Sequence, residues 1–339
     1  MTAQTQSPTA SEIDHTIARM QAMLAHDLAA TETLLMERAT SPVDVIPDLS
    51  GYIVSAGGKR LRPMITLVAA HICGGANAGT HALATAVEFI HTATLLHDDV
   101  VDDSDLRRGK AAAKNVWGNN ASILVGDFLF ARAFTLMVET GSLEILRILS
   151  NAASIIAEGE VHQLAAANRV DLPTEEYLEI IVAKTAALFE AAAQAGALSA
   201  GPNGAAHATA LAAYGKNLGL AFQIVDDVLD YGGTTSVIGK AVGDDFREGK
   251  TTLPVIIARR RGTAQDLDFW DRAMNVDHQT EGDLAHAIHL IRSTGAADAT
   301  VAEARAYADL AKASLRPLPS NQWTQVLIDL ADFCVSRLR

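Results

Sequence analysis

Apolar residues recur at three- and four-residue spacing along most of the chain. Alternating apolar and polar runs closed by Asn-Gly or Asp-Gly turns do not occur. The first pattern stripes one face of a 3.6-residue helix, whereas a half-buried strand needs the second. Periodicity predicts helices near 11–37, 42–56, 60–73, 79–104, 120–138, 142–169, 174–199, 205–232, 250–261, 264–275, 278–293, 297–313 and 320–337. The breaks are Gly57-Gly58, Gly74-Gly75, Gly109, the Gly201 turn, Gly232-Gly233 and Pro317/Pro319. No proline falls between Pro63 and Pro173, so that stretch can be helical throughout. No short repeat and no proline-rich linker divides the sequence. The expectation is a single all-α domain over residues 1–339, with residues 1–10 a disordered tail.

Composition narrows the function. With 49% hydrophobic and 20% charged residues, the chain of 339 residues is not a disordered one. Forty acidic against 27 basic residues leave a net charge of −13, which excludes a nucleic-acid partner that would need a basic surface. Cys73 and Cys334 are too few for a disulfide framework or a cysteine zinc site, which points to a reducing, cytoplasmic setting. Met1 to Ser11 is polar and lacks a signal-type apolar core. Two uncharged stretches, Pro63–Val87 and Ala191–Gly215, are broken by Gly74-Gly75 and by Gly201-Pro202-Asn203-Gly204. Neither reads as a membrane helix.

The densest chemistry is His97-Asp98-Asp99-Val100-Val101-Asp102-Asp103. Asp98 and Asp102 stand at i and i+4 and share a helix face, flanked by Leu95, Leu96, Val100 and Val101. One such cluster is equally well a solvated acidic face. Phe222-Gln223-Ile224-Val225-Asp226-Asp227-Val228-Leu229-Asp230 repeats the spacing inside a second apolar helix. Two such helices suggest one shared site, where cations must offset the repulsion. Oxygen-only ligands select a hard ion, and Mg²⁺ joins a few carboxylates to substrate phosphates. Basic residues lie beside both clusters: Lys59-Arg60-Leu61-Arg62, Arg107-Arg108-Gly109-Lys110, Lys184-Thr185, Lys240 and Lys250-Thr251-Thr252. Each alone could be a local ion pair. Together they describe a site for two multiply charged anions, one held through metal and one by Lys and Arg directly. His91 lies seven residues before Asp98 on the same face and is a candidate for the second anion, whereas His97 reads as a structural hydrogen-bonder. There is no Gly-x-x-x-x-Gly-Lys-Ser/Thr loop and no Gly-x-Ser-x-Gly elbow.

Gly-Gly-Lys-x-x-Arg at Gly57, the two Asp-rich motifs, Lys184-Thr185 and Phe222-Gln223-x-x-Asp226-Asp227 resemble, as an ordered set, the trans-polyprenyl diphosphate synthases, nearest the bacterial octaprenyl/solanesyl/decaprenyl type. The resemblance implies an isoprenoid-synthase fold with helices around a deep central cavity, and a homodimer. It implies Mg²⁺ held by Asp98, Asp102 and Asp226, with Asp99 also part of the catalytic set. Arg107 would contact the allylic diphosphate. Lys59, Arg62, His91 and Arg108 would hold isopentenyl diphosphate. Lys184, Thr185, Gln223 and Lys240 would line the reacting carbon and the leaving group, with Lys250 a further substrate contact. The long product would serve a respiratory quinone such as ubiquinone, with transient membrane contact for its release and no transmembrane segment. Ala111-Ala112 replace the usual Pro-Thr, and Lys114 a common Asn, departures that bear on the loop and not on the metal site.

On this reading the diphosphate departs with its charge neutralised, the allylic cation is attacked by isopentenyl diphosphate, and a proton is lost to the leaving pyrophosphate. The alternatives are a farnesyl or geranylgeranyl diphosphate synthase, a class I terpene cyclase and a non-enzymatic helical metal-binding protein. Intact Asp motifs and the ordered cations count against the last two. In the family the positions four and five before the motif set channel depth. Here they are Thr94 and Ala93, both small, which predicts octaprenyl to decaprenyl products. Phe128, Phe130 and Phe134 are candidates for the channel floor. The competing reading of Ala93 is close helix packing alone.

Overall fold

In the computed structural model, residues 10–232 and 242–337 are described, with side chains from His15 onward. The helices are α1 (Ala10–Met23), α2 (Ala25–Arg38), α3 (Val45–Ser55), α4 (Leu61–Ile72), α5 (Ala78–Val101), α6 (Ala113–Trp117), α7 (Asn119–Glu139), α8 (Leu143–Ala165), α9 (Thr174–Ile181), α10 (Ala187–Ser199), α11 (Pro202–Gly232), α12 (Asp244–Arg247), α13 (Leu253–Arg261), α14 (Ala264–Ala273), α15 (Asp283–Ser293), α16 (Ala296–Ser314) and α17 (Gln322–Ser336). Among the described residues the only strands are β1 (Leu106–Arg107) and β2 (Lys110–Ala111), an antiparallel pair. The expected tail lies outside the described residues, save for Ala10.

Local chemistry sets several helix starts. Asn77 caps α5: its side chain accepts from Gly79 N at 2.9 Å and Thr80 N at 3.2 Å, and Thr80 Oγ1 accepts from Asn77 N at 3.1 Å. Asn321 caps α17 in the same way, through Trp323 N at 2.9 Å and Thr324 N at 3.0 Å.

Two apolar clusters meet along α10 and, at Ala84, along α5. The first joins α1, α4, α11 and α13 to α17, and the second joins α2, α3, α5, α7 and α8. α10 serves both, with Phe189, Ala193 and Ala197 in the first and Leu188, Ala191, Ala192 and Ala195 in the second. Buried on all sides, it has to be thin, which explains the alanine run.

The structure departs from the expected elements in several places. The helix expected over 11–37 is two, broken at Leu24, whose ψ of 11° leaves the helical region. The helix expected over 174–199 contains a π-helical turn, Val182–Ala186. A short hairpin replaces coil after Asp105, α6 and α12 lie where no helix was expected, and the helix expected over 278–293 begins at Asp283, after the 3₁₀ turn Val276–His278. Among the described residues two helical stretches, 119–139 and 174–199, are long and apolar enough to cross a membrane, and only the end of the second overlaps a stretch the sequence singled out, Ala191–Gly215. The most apolar part of the second is 72% buried, as in a core helix, against 39% for the first.

Candidate active site

The two acidic motifs sit at the C-terminal ends of α5 and α11, and loops bring the cations to them. The Asp98 carboxyl is pushed up to about 6 by burial, with Glu160 and Asp102 adding repulsion against the pull of Lys184 and Arg107. Lys184 Nζ stands 3.2 Å from Glu160 Oε2, and Lys250 Nζ 3.3 Å from Asp102 Oδ2. Burial works against the charged Lys250, but Asp102 and Glu248 outweigh it and raise its pKa. Asp226, on α11, pairs with Arg337 beyond α17, Nη2 to Oδ1 at 2.8 Å.

The remaining motif aspartates do other work. Asp99 is fully buried and accepts from Arg107 Nε at 2.8 Å through Oδ1, and its Oδ2 has no hydrogen-bond partner among the described residues. It sets Arg107 rather than standing with Asp98 and Asp102. Asp227 is also buried. It accepts from Tyr177 Oη at 2.6 Å and from Gln223 Nε2 at 2.8 Å, and Thr185 Oγ1 donates to Gln223 Oε1 at 2.7 Å. Burial pushes Asp227 up to about 7, against the lowering effect of those two donors. Its job here is to fix the amide of Gln223. Asp230 accepts from the backbone N–H of Gly243 and Asp244 at 3.2 Å and of Asp245 at 3.1 Å. It ties down the loop that delivers Lys250.

The π turn explains how Lys184 and Thr185 enter the site. One extra residue in the turn swings their side chains inward, a common device at functional sites. Glycines on two neighbouring helices make room for it. A Cβ on Gly159 would lie 2.5 Å from Ala183 Cβ, and one on Gly219 2.6 Å from Ala186 Cα.

A second cationic group adjoins the first. Arg62 Nη1 lies 3.3 Å from His91 Nε2, its guanidinium stacks over Phe189 at 4.5 Å, and its Nε is buried without a partner among the described residues. Burial lowers Arg62 to about 10, against the pull of Glu88 and Asp226. Burial, then the charges of Arg62, Arg108, Arg107 and Arg60, hold His91 neutral. Lys59 lies over Phe333 at 4.9 Å. Arg60 adopts a left-handed φ of 50°, pairs with the buried Glu88 and donates to Val54 O at 2.9 Å. It is an internal tie rather than an open cation.

Lys240 lies outside the described residues. His97 turns to α7, with Nε2 3.2 Å from Ile123 O, in keeping with a structural role. The hairpin forms without Pro-Thr: Tyr52 Oη donates to Ala111 O at 2.8 Å, and the buried Lys114 pairs with Asp103. Ala93 is fully buried in the second cluster with Ile90, Leu96, Val125 and Leu129, while Thr94 Oγ1 donates to His91 O at 2.9 Å. Phe128, Phe130 and Phe134 lie half-buried against that cluster.

Glu88, Glu160 and Arg337 were not found from sequence. Glu88 had a signal, an acidic residue on an apolar helix one turn before His91; Arg337 had none. The donor set fits Mg²⁺. Crowded carboxylates, one of them forced up to about 6, need a divalent counter-charge. Among the described residues no three His, Cys, Asp or Glu side chains stand together as a metal-holding group, so Asp226 is not brought into one group with Asp98 and Asp102. Mg²⁺ does not require one, since it takes part of its shell from substrate phosphate and water.

A sequence profile of the family described as Polyprenyl synthetase matches residues 43–291. The octaprenyl diphosphate synthase of Escherichia coli (strain K12) is 43% identical over 326 residues, covering 95% of this chain and 99% of that protein. Among solved structures, a polyprenyl synthase from Caulobacter crescentus CB15, complexed with calcium and isoprenyl diphosphate, is 53% identical. Its TM-score is 0.92, with 95% of this chain and 98% of that one covered. A decaprenyl diphosphate synthase from Rhodobacter capsulatus is 47% identical with a TM-score of 0.90, covering 95% and 99%. The fold is the all-α isoprenoid synthase fold of these neighbours.

Proposed function

The chain belongs to the polyprenyl synthetase family, and from that premise we propose how this prenyltransferase works and what it makes. It is a long-chain all-trans polyprenyl diphosphate synthase that adds isopentenyl diphosphate head-to-tail to an allylic diphosphate and releases pyrophosphate. The observation that carries this reading is the pairing of two distinct anion sites. The acidic pair with Lys184, Lys250 and Arg107 adjoins a separate group of Arg62, His91, Arg108 and Lys59. There the Arg62 guanidinium is buried with one donor unmet. A cyclase needs only the first site.

Asp98, Asp102 and Asp226 would hold Mg²⁺, which when bound would supply positive charge for the departing diphosphate. Arg107, oriented by Asp99, grips the allylic diphosphate together with Lys184, Lys250 and Lys240. Lys59, Arg62 and Arg108 bind the isopentenyl diphosphate. Neutral His91 donates or accepts a hydrogen bond there without adding repulsion. Thr185 and the fixed Gln223 amide present oxygen dipoles where the allylic cation develops, an environment already arranged before reaction. The proton leaves with the pyrophosphate.

Ala93 and Thr94 are small enough to let an octaprenyl to decaprenyl chain pass, and the names of the Escherichia coli and Rhodobacter capsulatus relatives support that length. The calcium and isoprenyl diphosphate of the Caulobacter crescentus neighbour support a divalent metal and this substrate class. The apolar face of α7 supports a homodimer. Leu124 is 66% and Val138 62% exposed there, beside half-buried Phe128 and Phe134. We place the product in quinone side-chain synthesis, made in the cytoplasm and released by brief membrane contact.

The test is incubation with Mg²⁺, farnesyl diphosphate and isopentenyl diphosphate, with pyrophosphate assay and chromatographic sizing of the product. Pyrophosphate release with a product of eight to ten isoprene units is the expected result. A product that stops at four units refutes the chain length. Hydrocarbon from farnesyl diphosphate alone refutes the reaction.

A further inference from the structure

Arg337 belongs to no motif, yet its Nη2 lies 2.8 Å from Asp226 Oδ1. Its guanidinium stacks over Phe222, one helical turn before Asp226, at 4.9 Å. The side chain is 13% exposed, and Nη1 is buried with no hydrogen-bond partner among the described residues. A buried charged donor without an acceptor is costly, so the guanidinium has an unfilled place for an anion. α17 borders both anion sites, because Phe333 lies under Lys59.

We infer that Arg337 and a divalent ion compete for Asp226, and that Arg337, once displaced, donates to the substrate diphosphate. The inference rests on the function proposed above. A guanidinium on a carboxylate oxygen and a divalent ion on the same group repel each other, and the ion also demands close oxygen approach. Asp226 therefore gives up Arg337 as it takes up metal. The Phe222 ring keeps the released guanidinium close, and its planar fork suits a phosphate. Lys250 on Asp102 repeats the arrangement at the other motif. Each acidic motif thus carries an internal cation that becomes a diphosphate ligand when metal arrives. Nothing covalent changes in this exchange.

The experiment is calorimetric titration of the full chain with Mg²⁺ alone, then with inorganic pyrophosphate at saturating Mg²⁺, for wild type, Arg337→Met and Arg337→Lys. Arg337→Met should bind Mg²⁺ about 5-fold more tightly, the worth of a partly exposed ion pair. It should bind pyrophosphate about 10-fold more weakly, the loss of one charge-assisted contact. Arg337→Lys, which keeps the charge but not the stacked planar fork, should bind Mg²⁺ near wild type and pyrophosphate with an affinity between wild type and Arg337→Met. Should methionine unsettle α17, as circular dichroism would reveal, Arg337→Gln carries the same expectations. Equal or weaker Mg²⁺ binding without the charge overturns the competition. Unchanged pyrophosphate affinity overturns the handover. Pyrophosphate release by wild type from the two prenyl substrates decides the proposed function separately.

Discussion

Replacing Glu88 by Ala should damage this protein more than the loss of one ion pair suggests. The Glu88 and Arg60 side chains are 6% and 15% exposed. An exposed pair is worth about 0–1 kcal/mol. Deleting one partner of a buried pair strands the other charge and costs about 3–5 kcal/mol. Arg60 is also held at φ 50°, a conformation that costs an ordinary residue roughly 1–2 kcal/mol and relaxes once its tie is cut. Only the bond to Val54 O, at 2.9 Å, would remain. Glu88→Ala should therefore lower stability by about 1–4 kcal/mol, against the roughly 5–15 kcal/mol a native protein has. Urea denaturation would register this as a lower midpoint. The double variant Arg60→Met/Glu88→Ala strands no charge, so its loss should fall short of the sum of the single losses by about 2 kcal/mol. At the site, Lys59 and Arg62 flank the freed Arg60, so the KM for isopentenyl diphosphate should rise more than that for the allylic substrate. A Glu88→Ala protein within about 1 kcal/mol of wild type, or strictly additive losses, would refute the tie.

Three further outcomes follow from the geometry. Lys59→Ala or Arg62→Ala should mainly raise the KM for isopentenyl diphosphate, and Arg107→Ala that for the allylic substrate; equal effects on both would sink the assignment. Ala93→Tyr should shorten the product toward farnesyl or geranylgeranyl length. An unchanged long product from a folded, active variant would mean that this fully buried residue serves helix packing alone. The Asp98 carboxyl, raised from 3.8 to about 6 by burial and by Glu160 and Asp102, is protonated below that pH in the folded chain. Affinity for Mg²⁺, measured by calorimetry, should therefore fall as pH drops through about 6, by up to about tenfold per unit. Without metal the sign reverses. Between about 4 and 6 the folded carboxyl holds its proton more tightly than the unfolded one, so stability falls as pH rises through that window.

The sequence by itself determined the helical class, most helix positions, both acidic motifs and the neighbouring cations. All of these are local. Apolar period sets a helix, glycine and proline break it, and four-residue spacing puts Asp98 and Asp102 on one face. Only the tertiary structure decided which aspartates do what. Asp99, Asp227 and Asp230 share the motif pattern, yet one sets Arg107, one fixes Gln223 and one anchors the Lys250 loop. Their difference lies in what surrounds each carboxylate in space, and spacing along a helix does not encode that. The break at Leu24 and the π turn at Lys184 escaped for a related reason. The periodicity of the apolar residues continues through both, and close neighbours such as Gly159 and Gly219 on other helices shape the turn. Glu88 and Arg337 complete the contrast. Each meets its cation or anion from a distant part of the chain, and charges far apart in sequence become partners only when packing removes the water between them.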